Sequence, residues 1–358
     1  MNVKVPEKLT EEIEKSRERL RQKKPKVYTK LIRYLEAETK KDPFAISLID
    51  FALGFKCNFQ CPHCCAEAFH SGPKNKYQMS LDQVKRMADQ ADEVGAFVIN
   101  LIGGEPLIWE GLDKVIETID PSRFHISMTT NGWFLKPEVA KKLADWSVDK
   151  VGVSIDSGFA EEHDAFRKKK GSFQKTIEAV KNARAAGIRV IISTVVTHQN
   201  IYSPGFQRLI DTSLELGVGL DLQCATVAGG WQANTDVLIN EEDAAYIESL
   251  REKYPLLRRD LWSVPGSDGG CPAVTRSVYV IPDGRVLPCL FIHISLGNLF
   301  DEPLRDILMR GLRVKELREF NGLCLAGEDK KFIDKYLRRT FSAEHLPLSF
   351  DEGFGDRK

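Results

Sequence analysis

Between residues 45 and 226, short apolar runs rich in β-branched residues alternate with longer stretches whose apolar positions recur at helical spacing. The strand-like runs are Ile46–Phe55, Phe97–Ile102, His125–Thr130, Val151–Ile155, Arg189–Val196 and Gly219–Cys224. The amphipathic stretches between them are Leu81–Val94, Gly111–Ile119, Pro137–Trp146, Phe173–Ala186 and Phe206–Leu216. Ser80 stands where a helix N-cap belongs, and Pro137 where a first helical turn tolerates proline. Strands joined through helices predict a parallel sheet with right-handed crossovers. Six such units predict an α/β fold, a partial (β/α)6 TIM-like barrel rather than a closed eight-stranded one. Its chemistry then gathers at the C-terminal ends of the strands.

After residue 227 the alternation stops. A helical stretch, Glu241–Lys253, leads to the glycine-rich Ser267–Gly270 and to Cys271. A hairpin signal follows, with Ser277–Ile281, the turn Pro282-Asp283-Gly284, and Arg285–Leu287. The expected organisation is an N-terminal helical segment (1–44), a core barrel (45–230), a small α+β extension (231–328) and a charged tail (329–358), with Gly353–Lys358 frayed. In the first segment the basic run Arg19, Arg21, Lys23 and Lys24 reads as a solvated helix face.

Composition narrows the function. Fifty-one Lys and Arg balance 51 Asp and Glu, for a formal net charge of zero. That argues against a broad cationic surface for nucleic acid. Hydrophobic residues at 42% suffice for a large core. The N-terminal stretch lacks the apolar run of a signal peptide, and no segment is apolar enough for a membrane span. The expected compartment is the reducing cytoplasm, where the chain's eight cysteines suit metal binding better than disulfides.

Cys57, Cys61 and Cys64 form a C-x3-C-x2-C arrangement just after the first strand. Three soft thiolates on one loop can hold three irons of a cubane cluster and leave the fourth open. Zinc is the competing reading, with His63 or Cys65 as further ligands, but structural zinc wants four closed ligands and no second knuckle is present. Cys65 itself reads as a packed small residue.

This cysteine loop resembles that of the radical S-adenosylmethionine (SAM) superfamily, and further segments match in order. Gly103-Gly104-Glu105-Pro106 follows the second strand, Thr129-Thr130-Asn131-Gly132 closes the third, and Ser154-Ile155-Asp156 closes the fourth. His163-Asp164-Ala165-Phe166-Arg167 comes next. The resemblance implies a [4Fe–4S] cluster with one open iron and SAM as cofactor. It also implies one-electron cleavage of SAM to methionine and a 5′-deoxyadenosyl radical that takes hydrogen from substrate. An electron donor such as flavodoxin or ferredoxin follows from it. Under that resemblance, Gly103, Gly104 and Glu105 accept from the SAM ammonium, and Arg167 pairs with the SAM carboxylate. Ser154 and Asp156 meet ribose hydroxyls or the carboxylate, Asn131 contacts the ribose or sulfonium side, and His63 brings its backbone to adenine. The plainer readings are a tight Gly-Gly turn, a surface cation at Arg167, a helix cap at Asp156 and an Asn-Gly turn at Asn131.

The second cysteine set, with its C-x12-G-x4-C spacing from Cys271 through Gly284 to Cys289, resembles the opening of a SPASM or twitch extension. Leu296–Phe300 and Leu304–Leu308 fit it too. The pattern then departs: only Cys324 follows, with Gly327 where a paired cysteine would stand. One auxiliary iron–sulfur cluster is expected on Cys271, Cys289 and Cys324, with a fourth ligand from Cys224, substrate or elsewhere; otherwise these cysteines are packing residues. Trp109, Gln223, Trp231 and Gln232 lie where a pocket for a peptide or small-molecule substrate would be lined. No single catalytic side chain stands out. The rival from another class is a non-catalytic iron–sulfur electron carrier or scaffold.

Overall fold

A computed structural model describes residues 7–40, 42, 44–70, 77–261 and 270–356. The six expected strands form as β1 (Leu48–Ala52), β2 (Val98–Ile102), β3 (His125–Thr130), β4 (Val148–Ser154), β5 (Arg189–Val196) and β6 (Gly219–Cys224). Each neighbour pair from β1 to β6 is parallel. Two helices, α1 (Glu7–Lys23) and α2 (Pro25–Thr39), precede them. Short α3 (Glu67–His70) follows the cysteine loop, and the crossovers run through α4 (Leu81–Glu93), α5 (Leu112–Ile119), α6 (Pro137–Asp145), α7 (Ala160–Arg167), α8 (Ser172–Ala185) and α9 (Pro204–Glu215). Ser80 caps α4 in a reciprocal box with Gln83.

The extension adds to the same sheet. After α10 (Glu241–Lys253), a three-residue β7 (Leu257–Arg259) lies parallel to β6. At the other side β8 (Ser277–Val280) lies parallel to β1, with Leu48 opposite Ser277, and turns back antiparallel as β9 (Arg285–Leu287) and β10 (Gly297–Asn298). The strand order is β10-β9-β8-β1-β2-β3-β4-β5-β6-β7, so among the described residues the sheet stays open, with β7 and β10 as its two edges. The hairpin expected from sequence is present, and its partner is the strand that carries the first cysteine loop.

Period-two alternation separates the two faces of this sheet. Phe51, Leu101, Met128 and Val151 stand in register and pack with Val84, Met87, Val115 and Ile116 of the helices. The opposite face carries the register-matched Asp50, Asn100, Ser127 and Lys150. Asn100 Nδ2 donates to Asp50 Oδ1 at 2.7 Å, and burial pushes the Asp50 carboxyl up to about 6 against the pull of that bond and of Lys150. A raised folded-state pKa in an acid means that the folded chain holds the proton longer. Stability then falls as pH rises from about 4 to about 6 and stays reduced above. Asp50→Asn should remove that slope, leaving the variant level with the parent near pH 4 and about 2–3 kcal/mol more stable at pH 7 in urea unfolding. A gap that does not change with pH would sink this account.

The N-terminal helices depart from expectation at Lys24. Its side chain is no part of a solvated face: Lys24 is 9% exposed, donates to Phe124 O at 3.1 Å and pairs with Asp149. Lys30 donates to Ala96 O and Arg123 O. These carbonyls precede β2 and β3, so α2 closes the N-terminal ends of the strands, while Val27, Leu31 and Tyr34 bury against Ala45 and Phe97. The tail also corrects the reading of a frayed end. Ser349 and Glu352 form a capping box, and Gly353 and Phe354 are buried, with Gly353 against Ile294. Residues 262–269, which include most of the glycine-rich Ser267–Gly270, lie outside the described residues, as do 357–358. Among the described residues, no helix is long and apolar enough to cross a membrane.

Candidate functional site

Beyond β1 the chain crosses the C-terminal ends of the strands, and glycines clamp this loop from two sides. Gly104 N donates to Gly54 O at 3.1 Å and Glu105 N to Lys56 O at 2.9 Å. A Cβ on Gly104 would stand 2.1 Å from Lys56 O, and Gly103 holds a left-handed φ of +124°. Here the Gly-Gly pair is a requirement of close backbone approach. On the other side Gly230 N donates to Cys64 O at 3.0 Å, and a Cβ on Gly229 would lie 2.1 Å from the same oxygen. Sequence reasoning missed Gly229-Gly230, although a Gly-Gly soon after a strand end was the signal already used at Gly103-Gly104. Gly104→Ala should cost about 1–3 kcal/mol through overpacking against backbone that cannot yield. It should also lower the iron retained after reconstitution, measured against a thermal melt of the same sample.

Cys57, Cys61 and Cys64 share this loop. Phe59 N donates to Cys57 Sγ at 3.4 Å, and Cys61 Sγ donates to Arg167 O at 3.7 Å. Burial pushes the Cys57 thiol up to about 11 and the Cys64 thiol to about 12, and ionised neighbours in the same trio would raise each further. Three soft sulfurs so placed fit a group that replaces their protons with iron. Among the described residues, no three His, Cys, Asp or Glu side chains converge on a point suited to one metal ion. A cubane does not ask for that convergence, because each of its protein ligands binds a different iron; tetrahedral zinc does. Asn58 Nδ2 and His63 Nδ1 in this loop are buried without hydrogen-bond partners.

The remaining residues gather round the loop, some in roles other than expected. Glu105 does not present a free acceptor to a ligand. Its buried carboxylate accepts from Thr130 Oγ1 (2.6 Å), Leu107 N (3.0 Å) and Asn131 N (2.8 Å), which ties the loop after β2 to the end of β3. Asn131 Nδ2 donates to Asn58 Oδ1 at 2.8 Å and lies 4.0 Å from Cys57 Sγ.

Arg167 is no surface cation. Its Nε donates to Asp156 Oδ2 at 2.5 Å, and Asp156 Oδ1 accepts from Val195 N at 3.1 Å. Asp156 N donates in turn to His163 Nδ1 at 3.1 Å. Burial works against the charge on Asp156, yet Arg167 and the nearby histidines hold its carboxyl below the usual value. Burial lowers Arg167, but Asp156 and the Cys61 thiol outweigh it and leave the guanidinium firmly charged. His63 stacks on Phe166 at 4.3 Å and tilts toward Trp231 at 5.6 Å. Burial, helped by Arg167, drops its imidazole to about 3, so it stays neutral. Ser154 is half-buried opposite Ser193.

Of the proposed pocket residues, Trp109 is a core residue at 7% exposure, and Gln232 is engaged with Thr340 O. Gln223 and Trp231 are half-buried.

The second cysteine set also comes together. Cys271, Cys289 and Cys324 join one core, with Cys271 N donating to Asn321 O at 2.7 Å. Burial raises the Cys324 thiol far above its ordinary range, and charge on Cys271 would raise it further. Cys224 ends β6 at 2% exposure on the face of Leu220 and Leu222, in that core rather than toward the barrel interior.

Comparison with known proteins agrees with both halves. The radical SAM superfamily matches residues 52–203, and the SPASM iron–sulfur cluster-binding domain matches residues 271–331. The chain carries a radical SAM domain with a SPASM domain C-terminal to it, and it is an enzyme. Its cofactors are a [4Fe–4S] cluster and SAM, with auxiliary iron–sulfur binding in the extension. An AdoMet-dependent heme synthase of Methanosarcina barkeri is 25% identical over 326 residues, covering 83% of this chain and 92% of that protein. The antilisterial bacteriocin subtilosin biosynthesis protein AlbA of Bacillus subtilis is 26% identical over 271 residues, covering 72% of this chain and 58% of its own length. In fold, Streptococcus suis SuiB bound to its precursor peptide SuiA superposes with a TM-score of 0.60 at 16% identity, over 77% of this chain and 68% of SuiB.

Proposed function

We propose that this chain cleaves SAM reductively at a cluster held by Cys57, Cys61 and Cys64, and that the product radical takes hydrogen from a peptide or small molecule in a biosynthetic pathway. The observation that carries the reading is the three-thiol loop clamped between two Gly-Gly pairs, with a charged Asp156–Arg167 pair buried beside it. When bound and reduced, the cluster supplies one electron to the SAM sulfonium, which yields methionine and a carbon radical strong enough to take hydrogen from an unactivated C–H bond. The chain's own residues bind and orient. The carbonyls of Gly103 and Gly104 serve as acceptors for the SAM ammonium. Arg167, held by Asp156, offers the rest of its guanidinium to the SAM carboxylate as a charge-assisted donor. Asn131 and Ser154 stand at the ends of β3 and β4 for the ribose, and the backbone at His63 for adenine. Phe166 and Trp231 shield that side from water.

In this reading residues 45–230 form the SAM-cleaving unit and residues 231–328 the cluster-bearing extension, with Cys271, Cys289 and Cys324 holding an auxiliary cluster. A small redox protein such as flavodoxin or ferredoxin supplies electrons in the cytoplasm. A peptide substrate is favoured by the name of the B. subtilis relative, and a porphyrin-like one by that of the M. barkeri relative. The test is anaerobic reconstitution with iron and sulfide, reduction, and mass-spectrometric measurement of methionine and 5′-deoxyadenosine. Cluster-loaded protein that leaves SAM intact would return the chain to the class of non-catalytic iron–sulfur carriers.

A further inference from the structure

We propose that Cys224, at the end of β6 and outside the SPASM match, is the fourth protein ligand of the auxiliary cluster, joining Cys271, Cys289 and Cys324. The proposal rests on the cluster-binding reading of the extension given above. Three cysteines cannot fill a closed cubane, and Gly327 stands where the pattern would pair Cys324 with another cysteine. The structure shows why no side chain stands there. A Cβ on Gly327 would lie 2.5 Å from Ala225 O, and it would be 3.6 Å from Cys324 Sγ. The turn carrying Cys324 is pressed onto the residue that follows Cys224, so the space a cysteine at 327 would need is taken by the strand end that offers its own thiol.

A buried ion pair ties the same two cysteines together. Arg259 of β7 is 6% exposed; its Nη2 donates to Cys224 Sγ at 3.5 Å and pairs with the Glu328 carboxylate. Glu328 Oε2 accepts from Cys324 N at 2.8 Å. Arg259 stands within donating distance of the Cys224 sulfur and offsets part of the cost of burying it as a thiolate ligand. If the cluster binds there, each cysteine would hold one iron as a thiolate, having lost its proton to solvent, and Arg259 would remain a donor to the Cys224 sulfur. Cys224 and Cys324 are buried and Cys271 and Cys289 pack half-buried against the same core, which suits a cluster shielded from water. The competing oxygen donor is Asp260, next to Arg259, whose Oδ1 is buried without a partner.

The experiment removes the first cluster with Cys57→Ala, Cys61→Ala and Cys64→Ala together, then reconstitutes the full chain anaerobically with iron and sulfide. Iron, sulfide and the EPR spectrum are read alongside a thermal melt. The triple variant should keep about four irons per chain. Adding Cys224→Ala should remove at least one of them, seen as a three-iron EPR signal or as loss of the set. Adding Cys224→Ser, which keeps a donor of similar size and guards against simple misfolding, should retain iron with a shifted spectrum. Asp260→Asn should change neither. Unchanged iron and spectrum in both Cys224 variants would overturn the proposal, as would a folded triple variant without iron, or loss of iron on Asp260→Asn instead. None of these readouts depends on SAM, so failure of the wild-type chain to cleave SAM would be a separate result.

Discussion

Replacing Cys61 by alanine should take 5′-deoxyadenosine formation to background while the chain still folds. Cys61 is the middle thiol of the loop, and its Sγ lies beside both Arg167 O and the Arg167 guanidinium. Two remaining thiols can hold only two corners of a cubane, and a cluster so undercoordinated is lost on reconstitution. The fold should survive because the loop is fixed by backbone bonds from Gly104, Glu105 and Gly230 rather than by the thiol. Iron per chain should drop by about the content of one four-iron cluster, leaving the auxiliary site filled. A variant that lost all iron together with its cooperative melt would show that the loop is a folding element first. A variant that still cleaved SAM would remove Cys61 from the ligand set. Cys65 provides the contrast: Cys65→Ala should leave the iron content as it is, because it keeps all three cysteines of the C-x3-C-x2-C set.

Much of this arrangement is legible in sequence because it is written in local pattern. Strand periodicity, the Ser80 cap and the four motifs at successive strand ends all depend on neighbours a few residues away, and those elements appear where expected. Partners far apart in the chain are not legible. Leu257-Arg258-Arg259 is too short and too charged to read as a strand, yet it pairs with β6. The β8–β9 hairpin is plain from its Pro-Asp-Gly turn, but nothing local says that β8 lies against β1 some two hundred residues earlier. Lys24 looks solvated until the carbonyl of Phe124 and the carboxylate of Asp149 are brought to it. Asp156 and Arg167 were each visible as ligand contacts, and only the folded chain shows that they hold one another.

That pair sets the second large effect. The Arg167 side chain is 12% exposed and that of Asp156 1%, so Arg167→Ala leaves a carboxylate buried without its counter-ion beside the cysteine loop. The expected loss is about 3–5 kcal/mol. The pH dependence changes sign as well. In the parent, Asp156 titrates below its unfolded value, so its contribution is complete above about pH 4 and is lost as pH falls through the folded pKa. Without Arg167, burial dominates and raises that pKa, and stability then falls as pH climbs through the carboxylate range.

The double variant Asp156→Asn with Arg167→Ala separates packing from ligand binding. It removes the orphaned charge and should recover most of the lost stability, as replacing both members of a buried pair generally costs less than removing one. SAM affinity, measured by equilibrium dialysis on cluster-loaded protein, should not recover, because the donor for the SAM carboxylate is still missing; a loss of at least tenfold, about 1.4 kcal/mol, should persist. Arg167→Lys should sit between, keeping the charge and losing the planar fork that lets one side chain hold Asp156 and reach a second carboxylate. Recovery of both stability and SAM affinity in the double variant would confine Arg167 to holding Asp156 in place.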